Sequence, residues 1–226
     1  DLRIAKEYGL KILSSDANIG IGPALSRLVS EAKNPYFLFL ENDWLCVEDE
    51  DTVIKRLQSG MRLIKEQKID VVRYRHRVKF GQPLYSMRAY QNNEIPDGIE
   101  YLLDVVHWNK EPEKAFPHQI TKREIDNEDW FFATSANANY TNNPCLYQKN
   151  FFEKNVLSKA VGPGIALEVD LQNWWKDQRF QVAQGEGLFE HNPLETSGKG
   201  YDTYYVLQKR FFNYVKHKFR SIFCDK

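Results

Sequence analysis

The stretch Asn34-Pro-Tyr-Phe-Leu-Phe-Leu-Glu-Asn-Asp-Trp44 constrains the fold most. Tyr36 to Leu40 is an uninterrupted apolar run, the right length for a strand buried on both faces of a parallel sheet. It stops abruptly in Glu41-Asn42-Asp43, two carboxylates one residue apart. Carboxylates at the carboxyl end of a buried strand stand where open α/β sheets bind their ligands. A plain loop boundary after a core strand presents the same acids, so the run by itself leaves both readings open.

The neighbouring segments build a framework around that strand. Residues 1–9 read as the end of a helix stopped at Gly9, running into a short strand at Lys11-Ile-Leu13. A helix that begins uncapped at Asp1 leads us to expect a natural protein that extends upstream. Ser14 to Gly22 is a glycine-containing loop, and Pro23 sits at a favoured early position of a helix. Ala24, Leu25, Leu28, Val29 and Ala32 give that helix its apolar stripe. Strand, helix and the Tyr36–Leu40 strand together form an expected βαβ unit. The acidic run Glu48-Asp-Glu-Asp51 complements the dipole of a helix carrying Val53, Ile54, Leu57, Met61 and Ile64. Ile69 to Arg75 reads as the next strand, with Arg73, Arg75, His76, Arg77 and Lys79 clustered at its end. That cluster suits either an anionic ligand group or the acidic run.

Residues 80–127 carry four prolines and no clear periodicity; a short helical or extended piece at 99–106 is the one feature read there. Trp130 to Thr134 and Asn142 to Gln148 read as strands. Ile165 to Lys176 reads as a helix, in which Glu168 and Asp170 stand roughly 200° apart and cannot face one site together. Gln181 to Gln184 is a strand leading into Gly185-Glu-Gly-Leu-Phe-Glu-His191. Tyr201 to Phe223 has apolar residues three or four apart, a basic amphipathic helix read either as docked or as a peripheral membrane contact.

Composition excludes some partners. Thirty-one basic residues balance 31 acidic ones, which gives no sign of nucleic acid binding. Three cysteines without metal-type spacing favour a reducing compartment, cytoplasmic or membrane-peripheral. Asn139-Tyr-Thr141 is a lone glycosylation sequon, a pattern that often arises by chance.

Four segments, in this order, resemble the nucleotide-sugar glycosyltransferases of the GT-A fold, closest to glycosyltransferase family 2. Asn18-Ile-Gly-Ile-Gly-Pro-Ala-Leu25 is similar to the family's Asn-x-Gly loop and following helix. Phe37-Leu-Phe-Leu-Glu-Asn-Asp43 resembles the strand ending in its Asp-x-Asp motif, with Glu in the first place. Ala166-Leu-Glu-Val-Asp170 stands where the family has its acidic catalytic motif, departing from the usual Glu-Asp pair. Gly187-Leu-Phe-Glu-His191 resembles a late segment whose histidine completes the metal site.

The resemblance implies an α/β GT-A fold, a mostly parallel sheet flanked by helices, over residues 1–200, with residues 201–226 as a C-terminal helix. It implies a nucleotide-sugar donor, contacted by Asn18, Gly20, Glu41 and Asp43, and a glycan or other hydroxyl acceptor. Asp43 and His191 would hold Mn2+ or Mg2+ against the diphosphate, whose charge must be neutralised before it leaves. An acceptor hydroxyl needs a carboxylate base; Glu168 is the first candidate and Asp170 the second. Tyr147, Trp174 and Trp175 are candidates for stacking on acceptor sugar faces, or for the core. Three rivals stand beside this reading: a nucleotidyltransferase, which shares strand-end acids and a metal, a degenerate glycan- or nucleotide-binding module, and a peripheral membrane adaptor built on the C-terminal helix.

Overall fold

The computed structural model describes residues 2–81, 84, 86–87, 99–160 and 167–192. The helix expected over 201–226, with the membrane contact assigned to it, lies outside those residues. Among the described residues no helix is long and apolar enough to cross a membrane.

The chain is α/β, with a mixed seven-stranded sheet flanked by helices. The strands are β1 (Tyr36–Phe39), β2 (Trp44–Cys46), β3 (Val71–Arg75), β4 (Thr121–Ile125), β5 (Glu128–Thr134), β6 (Cys145–Gln148) and β7 (Gln181–His191). Their order is β1-β6-β3-β7-β5-β4, and β2 pairs with the far end of β7. The expected mostly parallel sheet is corrected: only β3 and β7 pair in parallel, and the other ladders are antiparallel. The cause is local. β6 lies between β1 and β3 and runs against both. β4 and β5 form a hairpin around Asp126 and Asn127, both at positive φ (57° and 60°), the backbone that a tight two-residue turn requires. β4 is exposed along almost its whole length, so it lacks the apolar alternation that marks a strand in sequence.

One directional feature survives the antiparallel insertions. β1 and β3 both oppose β6, and β7 is parallel to β3, so the three run the same way. Their carboxyl ends meet at one end of the sheet.

Each face of the sheet carries a core. Phe37, Phe39, Val71, Phe131 and Val182 face one cluster; Tyr36, Leu38, Val72, Trp130, Phe132 and Ala183 face the other. The alternation follows the two-residue period of a strand. Helix α1 (Leu2–Glu7) ends before Gly9, which takes φ 56°, as read from sequence. Residues 10–15 form no strand, so the expected βαβ unit is absent, and Leu10 and Ile12 are exposed. Helix α2 (Ile21–Glu31) buries Gly22, Leu25 and Val29 in the first core, where a Cβ on Gly22 would stand 2.2 Å from Ala160 O. Helix α3 (Glu50–Gln67) supplies Val53, Leu57, Leu63 and Ile64 to the second core. Its N-cap is Asp49, whose carboxylate accepts from Thr52 N at 2.9 Å. The helix expected over 165–176 is a Leu167–Asp170 turn followed by Gln172–Gln178.

Candidate active site

Asp43 and His191 are brought together by the backbone. β2 begins immediately after Asp43, and its ladder with β7 pairs Trp44 with His191. Asn192 N donates to Asp43 O at 2.8 Å, closing the ladder. His191 Nε2 then lies 3.1 Å from Asp43 Oδ2. On the other side His191 N donates to Phe80 O, and Gly81 bridges to His191. A Cβ on Gly81 would stand 1.9 Å from His191 O, and its φ is +66°, so glycine is required there.

The turn that presents Phe80 and Gly81 is fixed by His76. Its Nδ1 accepts from Val78 N and Lys79 N at 3.1 and 3.0 Å, which leaves the ring proton on Nε2, directed at Glu48 Oε1 at 2.7 Å. Burial holds the His76 imidazole below its usual pKa, against the hydrogen bond to Glu48. Glu48 therefore serves this turn, while Asp49, Glu50 and Asp51 serve the start of α3 as expected.

Asp43 and His191 wall a cavity of about 470 Å3 at the shared carboxyl ends of β1, β3 and β7. Glu41, Asp43, Glu168 and His191 all line it. They come from three segments of the chain, the first more than a hundred residues before the other two, and each is among the residues singled out from sequence. Burial, then the charges of Asp43 and Glu168, push the Glu41 carboxyl up to about 7. Asp43 Oδ1 is buried and has no hydrogen-bond partner.

Glu168 projects from the Leu167–Asp170 turn. Its Oε1 accepts from Thr141 Oγ1 at 3.0 Å and from Asn142 N at 2.6 Å. Gln172 binds the same wall: its Oε1 accepts from Tyr140 N at 2.9 Å, and its Nε2 donates to Tyr140 O at 2.7 Å. Arg73 joins this wall to the floor, donating to Asp104 Oδ1 at 2.8 Å and to Asn139 Oδ1 at 3.0 Å. The sequon is thereby consumed: Asn139 Nδ2 donates to Tyr140 O at 3.2 Å, and Thr141 holds Glu168.

Other expected site residues lie elsewhere. Asn18 and Gly20 are not in the cavity wall; Asn18 Oδ1 accepts from Gly20 N at 2.9 Å and shapes the turn before α2. Asp170 is exposed and outside the wall, as its angular separation from Glu168 required. Tyr147 and Trp175 are buried at 1% and 2% exposure and belong to the core, not to a sugar platform. Tyr147 packs among Phe37, Phe151 and Phe152, and Trp175 donates Nε1–H to Ala138 O at 2.8 Å. Trp174 packs edge-on to Phe180 at 5.9 Å, also outside the cavity.

Trp44, Tyr101, Asp104, Asn139, Tyr140 and Gln172, to which the sequence assigned no site role, also line the cavity. From the basic cluster, Arg75 alone reaches it, with Nε donating to Phe80 O at 2.9 Å and burial pushing its guanidinium down to about 10. Arg77 donates instead to Val106 O, and Lys79 lies 3.6 Å from Glu48. The Asn-rich stretch 137–143 was a signal: amides at that density do more than turn a chain.

Among the described residues no group of three or more His, Cys, Asp or Glu could hold a metal ion. Asp43 and His191 are the two residues that could offer ligands to a cation, and Asp43 Oδ1, which has no partner among the described residues, suits an oxygen ligand. Comparisons of the chain with protein-family models, with curated proteins and with solved structures found no match.

Proposed function

We propose that the protein is a metal-dependent inverting glycosyltransferase that moves a sugar from a nucleotide-sugar to an acceptor hydroxyl, on a glycan. The observation that carries this reading is the convergence of Glu41, Asp43, Glu168 and His191 on one cavity at the carboxyl ends of β1, β3 and β7. Asp43 and His191 would hold the divalent cation, which when bound neutralises charge on the departing diphosphate. Glu168, held through Oε1 by Thr141 and Asn142, keeps Oε2 for the acceptor. It takes the hydroxyl proton as the oxygen bonds to the anomeric carbon and the bond to the diphosphate breaks. Attack from the face opposite the leaving group inverts the anomeric configuration.

The test is a panel of nucleotide-sugars with the acceptor sugars, in Mn2+ and in EDTA, read by released nucleoside diphosphate. Metal-dependent release from one donor is expected. Release of pyrophosphate would instead make it a nucleotidyltransferase. Asp43→Ala should abolish release while leaving the fold intact; wild-type release from that variant, or undiminished release in EDTA, overturns the metal mechanism.

A second reading, a binding module without turnover, is favoured by the absence of a three-ligand metal group among the described residues. It predicts donor binding that raises the melting temperature with no release under any condition.

A further inference from the structure

Beside Asp43 Oδ1, two more polar atoms in the cavity wall have no partner among the described residues. Trp44 and Ser86 line the cavity at 5% and 6% exposure. Trp44 Nε1 and Ser86 Oγ are both buried without a hydrogen-bond partner. Buried polar groups in folded proteins are nearly always paired, and an orphaned pair in one cavity calls for an occupant. The indole N–H only donates, so what it lacks is an acceptor oxygen. The Trp44 ring is already engaged: the Arg75 guanidinium lies 5.4 Å from its centroid and His191 packs at 4.8 Å. Its π-face is thus committed to protein, and its N–H edge is what remains to read a ligand.

The surroundings indicate the kind of oxygen. Glu41, Asp43, Asp104 and Glu168 line the same cavity, so a second anion beside them is repelled. A sugar hydroxyl is uncharged, accepts from Trp44 and Ser86, and donates to a neighbouring carboxylate. We infer that Trp44 and Ser86 form a hydroxyl-reading subsite for the sugar of the donor, so that this residue pair selects among donor sugars. The inference rests on the glycosyltransferase reading and names the part of the donor that these two residues recognise.

Trp44→Phe keeps an aromatic ring near Arg75 and His191 and removes the N–H together with the five-membered part of the indole; Ser86→Ala removes only the hydroxyl. Calorimetric titration compares the native protein and each variant with the donor chosen by the panel and with its nucleoside diphosphate. Each variant should bind the nucleotide-sugar about tenfold more weakly, a loss on the order of one hydrogen bond. Each should bind the nucleoside diphosphate as the native protein does. The melting temperature of unliganded Ser86→Ala should stay level or rise, since an unpaired buried hydroxyl has been removed; a merely structural serine would give a fall. Equal nucleotide-sugar affinity in native and variant proteins overturns the inference, as does an equal loss for the nucleoside diphosphate. A native protein that binds no nucleotide-sugar overturns the enzyme reading itself. Free monosaccharides titrated in the same assay then judge the subsite alone: binding weakened in both variants upholds it, and no binding or unweakened binding ends it. Should Trp44→Phe fail to fold, Ser86→Ala decides by the same comparison.

Discussion

A carboxylate that accepts a proton during turnover must be aimed and must stay ionised. At Glu168, the base we propose, two donors meet one oxygen, Thr141 Oγ1 and Asn142 N, which fixes the group. Glu168→Gln keeps the size and loses the base, so turnover should fall by about 100-fold or more with donor affinity retained. Comparable turnover in that variant would remove Glu168 from its role. Thr141→Val removes one of the two donors and keeps the volume. Its kcat should fall with KM for the donor near native, and Thr141→Ser, which restores the hydroxyl, should recover most of the loss. At this scale the sequence was informative about acids and poor about aromatics. Glu41, Asp43 and Glu168, singled out from sequence, line one cavity. Tyr147, Trp174 and Trp175 could not be read, because a ring that stacks on sugar and a ring that fills a core have one composition and differ only in burial.

Between elements, the site depends on how β7 is shared. Its first half pairs with β5 and its end with β2, while β3 runs along the opposite side. The register slips between Arg73 and Arg75, where Gly187 takes φ +87° and a Cβ would stand 2.3 Å from Arg75 O. Gln184 fills the slip by donating to Arg75 O at 2.7 Å. The Gly-Glu-Gly sequence in front of His191 is therefore a bulge that turns the strand end towards Asp43. Gly81→Ala should test the opposite support of His191. The added Cβ meets His191 O in a backbone conformation that alanine resists, so stability should fall by about 1–3 kcal/mol. Mn2+ affinity, read by quenching or calorimetry, should fall with it; unaltered affinity would show that His191 does not hold the metal. Asp49→Ala offers the contrast. It removes the cap of α3 at a cost of about 1 kcal/mol, with metal and donor binding unchanged. Helices α2 and α3 and strands β3 and β5 were all legible, since apolar periodicity is local. The β4–β5 hairpin was not, because its signal is an Asp-Asn turn between strands of which one is exposed.

Over the whole molecule, the direction of the sheet escaped sequence reading for a related reason. A buried antiparallel strand such as β6 is as apolar as a parallel one, and nothing local in Cys145 to Gln148 states its direction. What the resemblance did imply was that Glu41, Asp43 and His191 lie near one another, and all three line one cavity. The same compactness leaves two imidazoles with no room for charge. Burial pushes His107 down to about 3 and lowers His76, whose Nδ1 is already an acceptor for two backbone N–H groups. In the unfolded chain both have pKa values near 6.5. As pH falls below that value the unfolded state takes up protons that the folded state refuses, so stability is lost with acidification until His107 itself titrates. Glu41 acts in the opposite sense, since its raised pKa makes the folded state the one that gains the proton between about 7 and 4.5. Urea unfolding near pH 7 and near pH 4 should therefore show lower stability at the acid value. His107→Phe removes one of the two imidazoles and packs against Phe80, whose ring lies 5.7 Å from that of His107. The difference between the two pH values should shrink in this variant by on the order of 3 kcal/mol. An undiminished difference would mean that His107 is protonated inside the fold, and would move the acid sensitivity to His76 and the carboxylates of the cavity.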